Sequence, residues 1–343
     1  MSLATDADPV SADWSRVQLH VVTGKGGTGK STLAAALALA LARPGRNVLL
    51  CEVEGRQGIA RMFDVDPLPY EERRIARGLA DDEGAAGAVH ALHIDPESAL
   101  LEYLSMYYKL GRAGKALDRF GVVEFATTIA PGVRDVLLTG KVYEASQRNA
   151  RNKKAITYDA VVLDAPPTGR IAQFLGVNAE LAGLARMGPI KSQADNVMRL
   201  FRSPRTAIHL VTVLEEMPVQ ETADAITELQ ETGMRVGAVV VNQVRRRDLL
   251  PEQLTSARNG DFDRAAVAAD LTRAKIDVTP ELVDTLVDEG RDHADRRALE
   301  DAQRAVVDGL DRPVYELPRL AGGVDPGGLH DLAAALRDQG MAP

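Results

Sequence analysis

The stretch HVVTGKGGTGKSTLAAALALALA, His20 to Ala42, restricts what the chain can fold into more than any other. Gly24, Gly29, Lys30 and Ser31 meet the G-x-x-x-x-G-K-[ST] spacing of a phosphate-binding loop. Val17 to Val22 is a β-branched apolar run suited to a buried parallel strand, and Thr32 to Ala42 is an Ala/Leu run suited to a helix. Strand, glycine loop and helix therefore follow in the order the motif requires. Gly24, Gly26, Gly27 and Gly29 let the backbone curl around Thr28, so that N–H groups up to Thr32 point inward at phosphate oxygens, and the helix N-terminus adds partial positive charge. This places Lys30 against the β- and γ-phosphates of a triphosphate and the Ser31 hydroxyl on Mg²⁺. The plainer alternative is a tight glycine turn with a surface lysine.

Lys25 follows the first glycine directly. By position alone it either fills a variable place and points to solvent or serves the phosphates. The form GKGGTGKS resembles the deviant phosphate loop of the SIMIBI class of dimeric ATPases. That resemblance implies a lysine reaching nucleotide across a dimer interface, and hence a protein that works as a face-to-face pair.

At 343 residues the chain can form one large α/β domain or two small ones. A net charge of −8 argues against a general nucleic-acid or anionic-membrane surface, which needs a basic patch. The single cysteine, Cys51, excludes an intrachain disulfide and suits a reducing compartment. Residues 1–14 lack the basic and apolar runs of a signal peptide and look like a disordered leader. Leu33 to Ala42, the longest uncharged apolar run, is too short to span a bilayer, so the expected location is cytoplasmic, without stable membrane insertion.

Strands are expected at Asn47–Gly55, Ala88–Asp95, Tyr158–Gly169, Thr206–Leu214, Val236–Val244 and Val314–Pro318. Helical patterns cover Ile59–Phe63, residues 97–110, Ala113–Phe125, Val133–Asn149, Ile171–Leu175, Asn178–Met187, Lys191–Phe201, Val219–Glu231, much of residues 251–309, and Leu329–Arg337. Alternation of this kind means an α/β fold: a mostly parallel central sheet flanked by helices, as in P-loop NTPases. Residues 15–343 are expected to form one domain, with an inserted helical subdomain at about 97–149 and 178–204.

LDAPPTG puts Asp164 at the end of an apolar strand, where a carboxylate can hold the Mg²⁺ water shell beside Ser31 or, more plainly, cap a helix. The turn after it can present the Gly169 N–H to a γ-phosphate and withdraw it on hydrolysis. DAPPTGRIAQFL resembles the DTAPTGH-x-L-R-x-L signature of the arsenical-pump (ArsA) and tail-anchored-protein-targeting ATPases. HIDPESALLEYL, PGVRDVLLTGKVYE, VVVNQ and YELPRLAGGV resemble that family in the same order, so the likeness spans about Val17 to Leu336. Among its branches the chain is most similar to the shorter member of the paired ArsA-like ATPases of actinobacteria.

The resemblance implies Lys25 as the intersubunit lysine and implies a partner, either a second copy or a paralogous ATPase. It places Glu54 where the family carries an aspartate that orients the attacking water. A strand-end glutamate can polarise water, though its extra methylene moves the oxygen by more than about one ångström. A merely solvated carboxylate is the alternative. Arg170 stands where the family has histidine. Arg245 occupies the position of the guanine-reading aspartate in Asn-Lys-x-Asp and cannot accept a hydrogen bond, which favours adenine and hence ATP. Asn242 could pair with adenine N6 and N7 or simply end the strand, and the Pro318–Leu320 loop resembles the family's adenine-side loop.

With Cys51 alone the chain can build neither the cysteine metalloid site nor the shared Cys-x-x-Cys zinc site of those relatives. His90 and His93 fall on opposite faces of a strand and suit packing or surface positions. Leu100, Leu101, Leu104 and Tyr108, with Met106, Met187 and Met198, mark either a groove for an apolar or protein client or ordinary core packing. Three functions stay open: a client-binding switch ATPase, an energy-coupling subunit for an oxyanion transporter, and a regulatory subunit that binds ATP and hydrolyses it weakly.

Overall fold

The computed structural model describes residues 14–55, 57–108, 131–148, 155–184, 189–247 and 249–342. Its strands are β1 (Leu19–Gly24), β2 (Asn47–Glu52), β3 (Arg73–Arg77), β4 (Ala88–His93), β5 (Ala160–Asp164), β6 (Thr206–Thr212), β7 (Val236–Val244) and β8 (Val314–Pro318). The helices among the described residues are α1 (Lys30–Leu41), α2 (Gly58–Met62), α3 (Pro96–Tyr108), α4 (Pro131–Ser146), α5 (Thr168–Leu184), α6 (Pro189–Phe201), α7 (Glu216–Glu231), α8 (Pro251–Asn259), α9 (Arg264–Arg273), α10 (Pro280–Asp308) and α11 (Pro326–Asp338). One eight-stranded sheet runs β3-β4-β2-β5-β1-β6-β7-β8, parallel except for β3. The aliphatic runs of β1, β5 and β6 are buried at every position because helices cover both faces.

One face carries α1, whose Leu33 to Leu41 are wholly or almost wholly buried, together with α11. An Ala-rich helix lets the backbone lie close to the sheet, so the loop at its N-terminus is held against a rigid support. The other face carries α4 to α7, with Leu138, Phe174, Val197 and Phe201 in a single core with Val21, Leu163 and Leu210. Leu100 and Met198 are buried in that core and Leu101 packs against it. These three side chains are core packing, not the wall of an open groove. The side chains of Leu104, Met106 and Tyr108, all of Met187, and the helical pattern at 113–125 lie outside the described residues.

Several expectations need correction. β3 has no counterpart in the sequence reading: RRIAR lacks an apolar alternation because it is an exposed antiparallel edge strand, and its arginines discourage further pairing. Pro131 and Gly132, taken as a break, open α4, where the missing proline N–H has no intrahelical partner to lose. α5 continues through Gly176 as one helix where two were expected. Trp14, assigned to the leader, is buried, donates its Nε1–H to Tyr315 Oη at 2.9 Å and meets His209 edge-on.

His20 on β1 and His209 on β6 stack in the interior, with His20 Nδ1 and His209 Nε2 3.0 Å apart. The Ala238 N–H donates to His209 Nδ1, so His209 carries its proton on Nε2 and donates to His20 Nδ1, leaving the buried His20 Nε2–H without a partner. Burial pushes the pKa of His20 down to about 3 and that of His209 well below the ordinary value. Both rings stay neutral in the folded chain, while the unfolded chain protonates them near pH 6.5. Their contribution is complete above that pH and shrinks as pH falls, by about 1.4 kcal/mol per histidine at pH 5.5. Denaturant unfolding of wild type and His20→Gln at pH 7.5 and 5.5 checks this: the variant is expected to lose less stability on acidification.

Candidate nucleotide site

The glycine loop joins β1 to α1 at the carboxyl end of the sheet, the edge at which open α/β sheets bind ligands. Gly29 has φ of 95°, and a Cβ there would lie 2.1 Å from Asn242 Nδ2. Asn242, at the end of β7, donates from Nδ2 to the Thr28 carbonyl at 2.8 Å and accepts from the Gln243 N–H at 2.8 Å. Thr28 Oγ1 in turn donates to the Lys25 carbonyl at 2.8 Å. Asn242 thus braces the loop from the neighbouring strand, a role that its sequence position does not disclose.

β1 and β5 pair in parallel with Val22 opposite Asp164, which brings the carboxylate beneath the start of α1. Ser31 Oγ donates to Asp164 Oδ2 at 2.5 Å, and Asp164 Oδ1 is buried with no partner. Burial raises the Asp164 pKa to about 7. The Ser31 bond and Lys30 oppose the rise, while Glu52 and Glu54 add to it. An orphaned carboxylate oxygen beside a hydroxyl suits Mg²⁺, a hard cation that takes few protein oxygens and keeps the rest of its octahedron as water and phosphate. Lys30 makes no ion pair among the described residues and stands at the first position of α1.

Glu54 is half-buried just past the end of β2. The sequence reading missed the residue two places before it. Glu52 is 2 % exposed, accepts from the Gly58 N–H at 2.7 Å through Oε1, and has Oε2 3.4 Å from His93 Nδ1. Parallel pairing sets Glu52 opposite both Asp164 and His93. His93 is largely buried against Glu52, a packing place of the kind expected. An acidic residue at the last buried position of a strand beside the metal-side strand was the available signal.

Lys25 does not point to solvent. It forms an ion pair with Glu221 of α7, and Glu221 also accepts from Thr168 Oγ1 at 3.0 Å. Thr168 begins α5 and Gly169 lies in its first turn, where backbone N–H groups have no helical acceptor. Glu221 thus ties the loop lysine to the segment after Asp164, and the Lys25 hydrogen bond lowers the Glu221 pKa. Beside the loop opens a cavity of about 800 Å³ whose lining includes Thr28, Met217, Asn242, Arg245, Leu299 and Arg319. Arg245 is held by Glu300 of α10 at 3.2 Å. Arg319 lines the cavity, whereas Pro318 is exposed at the end of β8 and Leu320 packs on the core, so of the expected Pro318–Leu320 loop only the middle residue reaches it.

The profile of the anion-transporting ATPases, the ArsA ATPase family, matches residues 17–204 and 171–261. The chain belongs to this family. It is 50% identical to the ATPase BagA of Mycobacterium tuberculosis across 99% of this chain and all of that one. It is 25% identical to the ATPase GET3 of Kluyveromyces lactis, over 65% of this chain and 71% of the relative. As in other α/β members of the P-loop group, the site is assembled from strand ends and the loops that follow them. Cys51, the one cysteine, is buried on β2 with its thiol pKa pushed up by burial, which keeps it protonated and away from ligands. No helix among the described residues is long and apolar enough to cross a membrane, and among them no cluster of His, Cys, Asp and Glu could hold a metal by itself.

Two outcomes test this geometry. A carboxyl with a raised pKa stabilises the fold below about pH 3.8 and loses that contribution as pH rises through about 7, so Asp164→Asn should stabilise the ligand-free chain at pH 8 by on the order of 2–4 kcal/mol. Unfolding in urea reads it directly. Gly29→Ala should cost about 1–3 kcal/mol through a strained φ and a displaced Asn242, and a thermal scan measures the shift.

Proposed function

We propose that this ArsA-family chain is a Mg²⁺-dependent ATPase that closes as a dimer, either with a second copy or with a paralogue, and couples closure to binding of a protein or hydrophobic client. The observation that carries the ATPase reading is the Ser31–Asp164 hydrogen bond with its orphaned Oδ1, set beside Lys30 at the end of the glycine loop. Gly24, Gly26, Gly27, Thr28, Gly29 and Thr32 shape that cradle, and Lys30 neutralises the β- and γ-phosphates. Ser31 and Asp164 would hold Mg²⁺, which would supply charge stabilisation of the phosphates. Glu54 orients the attacking water and accepts its proton, and the Gly169 N–H donates to the γ-phosphate. The 800 Å³ cavity takes the base and sugar, with Asn242 and Arg319 on its wall.

Dimer closure rests on Lys25. In the single chain its ammonium is engaged by Glu221, so reaching a partner's nucleotide requires that contact to open. About a third of each side chain is exposed, so water screens the ion pair and leaves it weak enough to be exchanged for a triphosphate. The family's description as anion-transporting ATPases supports a second reading, energy coupling to an oxyanion transporter. A buried lone thiol gives no support to a thiol-based metalloid site within it.

Lys30→Ala and Asp164→Asn should each lower ATP turnover at least about 100-fold, as loss of a transition-state charge partner does. A phosphate-release assay checks this, and unchanged rates would overturn the ATPase reading. Lys25→Ala should leave nucleotide binding measurable and abolish ATP-dependent association, while Glu221→Gln should favour association. Light scattering with a non-hydrolysable ATP analogue, alone and with a paralogue, separates these outcomes.

A further inference from the structure

A second cavity, about 180 Å³, lies beside Glu54, and its lining includes Arg134, Asp135, Pro166, Arg170 and Phe174. Ligand pockets for nucleosides and drug-sized molecules run to about 300–1,000 Å³, so this one is sized for a small ion with a few waters, each occupying about 30 Å³. Its walls come from the parts of the site expected to move. Glu54 follows β2, Pro166 lies between Asp164 and α5 with its carbonyl held by Thr23 Oγ1 at 2.7 Å, and Arg170 is in the first turn of α5. Arg134 closes the first turn of α4 and Asp135 follows it, near a helix N-terminus that adds partial positive charge.

Asp135 Oδ2 and Arg170 Nη2 are 3.5 Å apart, which neutralises one of the two guanidinium groups. Arg134 is exposed and makes no ion pair among the described residues, so one cation is left over in a cavity that Glu54 also enters. We propose that this cavity binds inorganic phosphate leaving the nucleotide site, with Arg134 as its principal cation and Arg170 as a second donor. Resting on the ATPase reading, it deepens that reading by giving the product a path on the Glu54 side.

The charge balance favours product over substrate. In hydrolysis the water oxygen bonds to the γ-phosphorus, the bond from that phosphorus to the bridging oxygen breaks, its electron pair leaves on ADP, and the water proton passes to Glu54. Before the step Glu54 offsets the free charge of Arg134. After it Glu54 is neutral, and the two arginines outnumber the one remaining carboxylate, Asp135. The cavity thus becomes attractive to a tetrahedral oxyanion when one has just formed, and guanidinium groups meet phosphate oxygens through charge-assisted, bidentate hydrogen bonds.

The test is equilibrium dialysis of the full chain against radiolabelled orthophosphate. It is run on wild type saturated with Mg-ADP, which fills the β-phosphate place, and on nucleotide-free Lys30→Ala, which removes the loop lysine, so that the comparison at Arg134 reads the cavity and not the loop. Each is compared with the same chain carrying Arg134→Ala or Arg134→Lys. Phosphate affinity is expected to fall about tenfold in Arg134→Ala and to recover in part in Arg134→Lys, with Mg-ADP affinity unchanged in both. Arg134 is exposed on a helix and alanine is a good helix former, so the fold should survive. Equal phosphate binding with and without Arg134, or no phosphate uptake in either arm, overturns the proposal. Failure of Mg-ADP to bind wild type counts against the ATPase reading alone, because the nucleotide-free arm still reports on phosphate.

Discussion

Parallel pairing of β1 with β5 is the constraint on which the site depends, because it sets the glycine loop and Asp164 at the same height on adjacent strand ends. The 2.5 Å bond from Ser31 to Asp164 expresses that register as chemistry. A slip of one residue would turn the carboxylate to the opposite face of the sheet. β1 and β5 are aliphatic and buried at every position, so close packing from both faces holds them in place. Burial then raises the carboxyl pKa toward neutrality and leaves one oxygen unpaired, a cost that a cation with its water shell removes.

Much of this was legible in the sequence because the signals were local. The loop spacing, the aliphatic strands and the carboxylate at the end of AVVLD each depend on a few adjacent residues. What escaped depends on pairing across the fold. The brace from Asn242 to Thr28 joins residues 214 apart, and the Lys25–Glu221 pair joins residues 196 apart. Glu52 and His93 become neighbours only once β2 and β4 are placed side by side. β3 was invisible for the opposite reason, since an exposed edge strand of arginines buries little and so carries no apolar period.

The two faces of the sheet divide the work. The α1 face is a dense Ala/Leu layer that fixes the loop, and rigidity there is what phosphate binding needs. The opposite face carries α4, α5 and α7, joined to the site by contacts that can be exchanged: Glu221 with Lys25 and Thr168, and Asp135 with Arg170. Contacts of this partly exposed kind are weak individually, so a triphosphate can replace them at little cost. A rigid cradle beside a set of replaceable ion pairs is the physical basis of the switch proposed for this ATPase.

The most direct measurement is calorimetric titration of the purified full chain with ATP, with Mg²⁺ present and with it removed by chelation. Saturable binding that weakens sharply without Mg²⁺ is the result expected from an orphaned Asp164 oxygen beside Ser31. No detectable binding in the presence of Mg²⁺, for the chain alone or mixed with a paralogue, would contradict the account at its base.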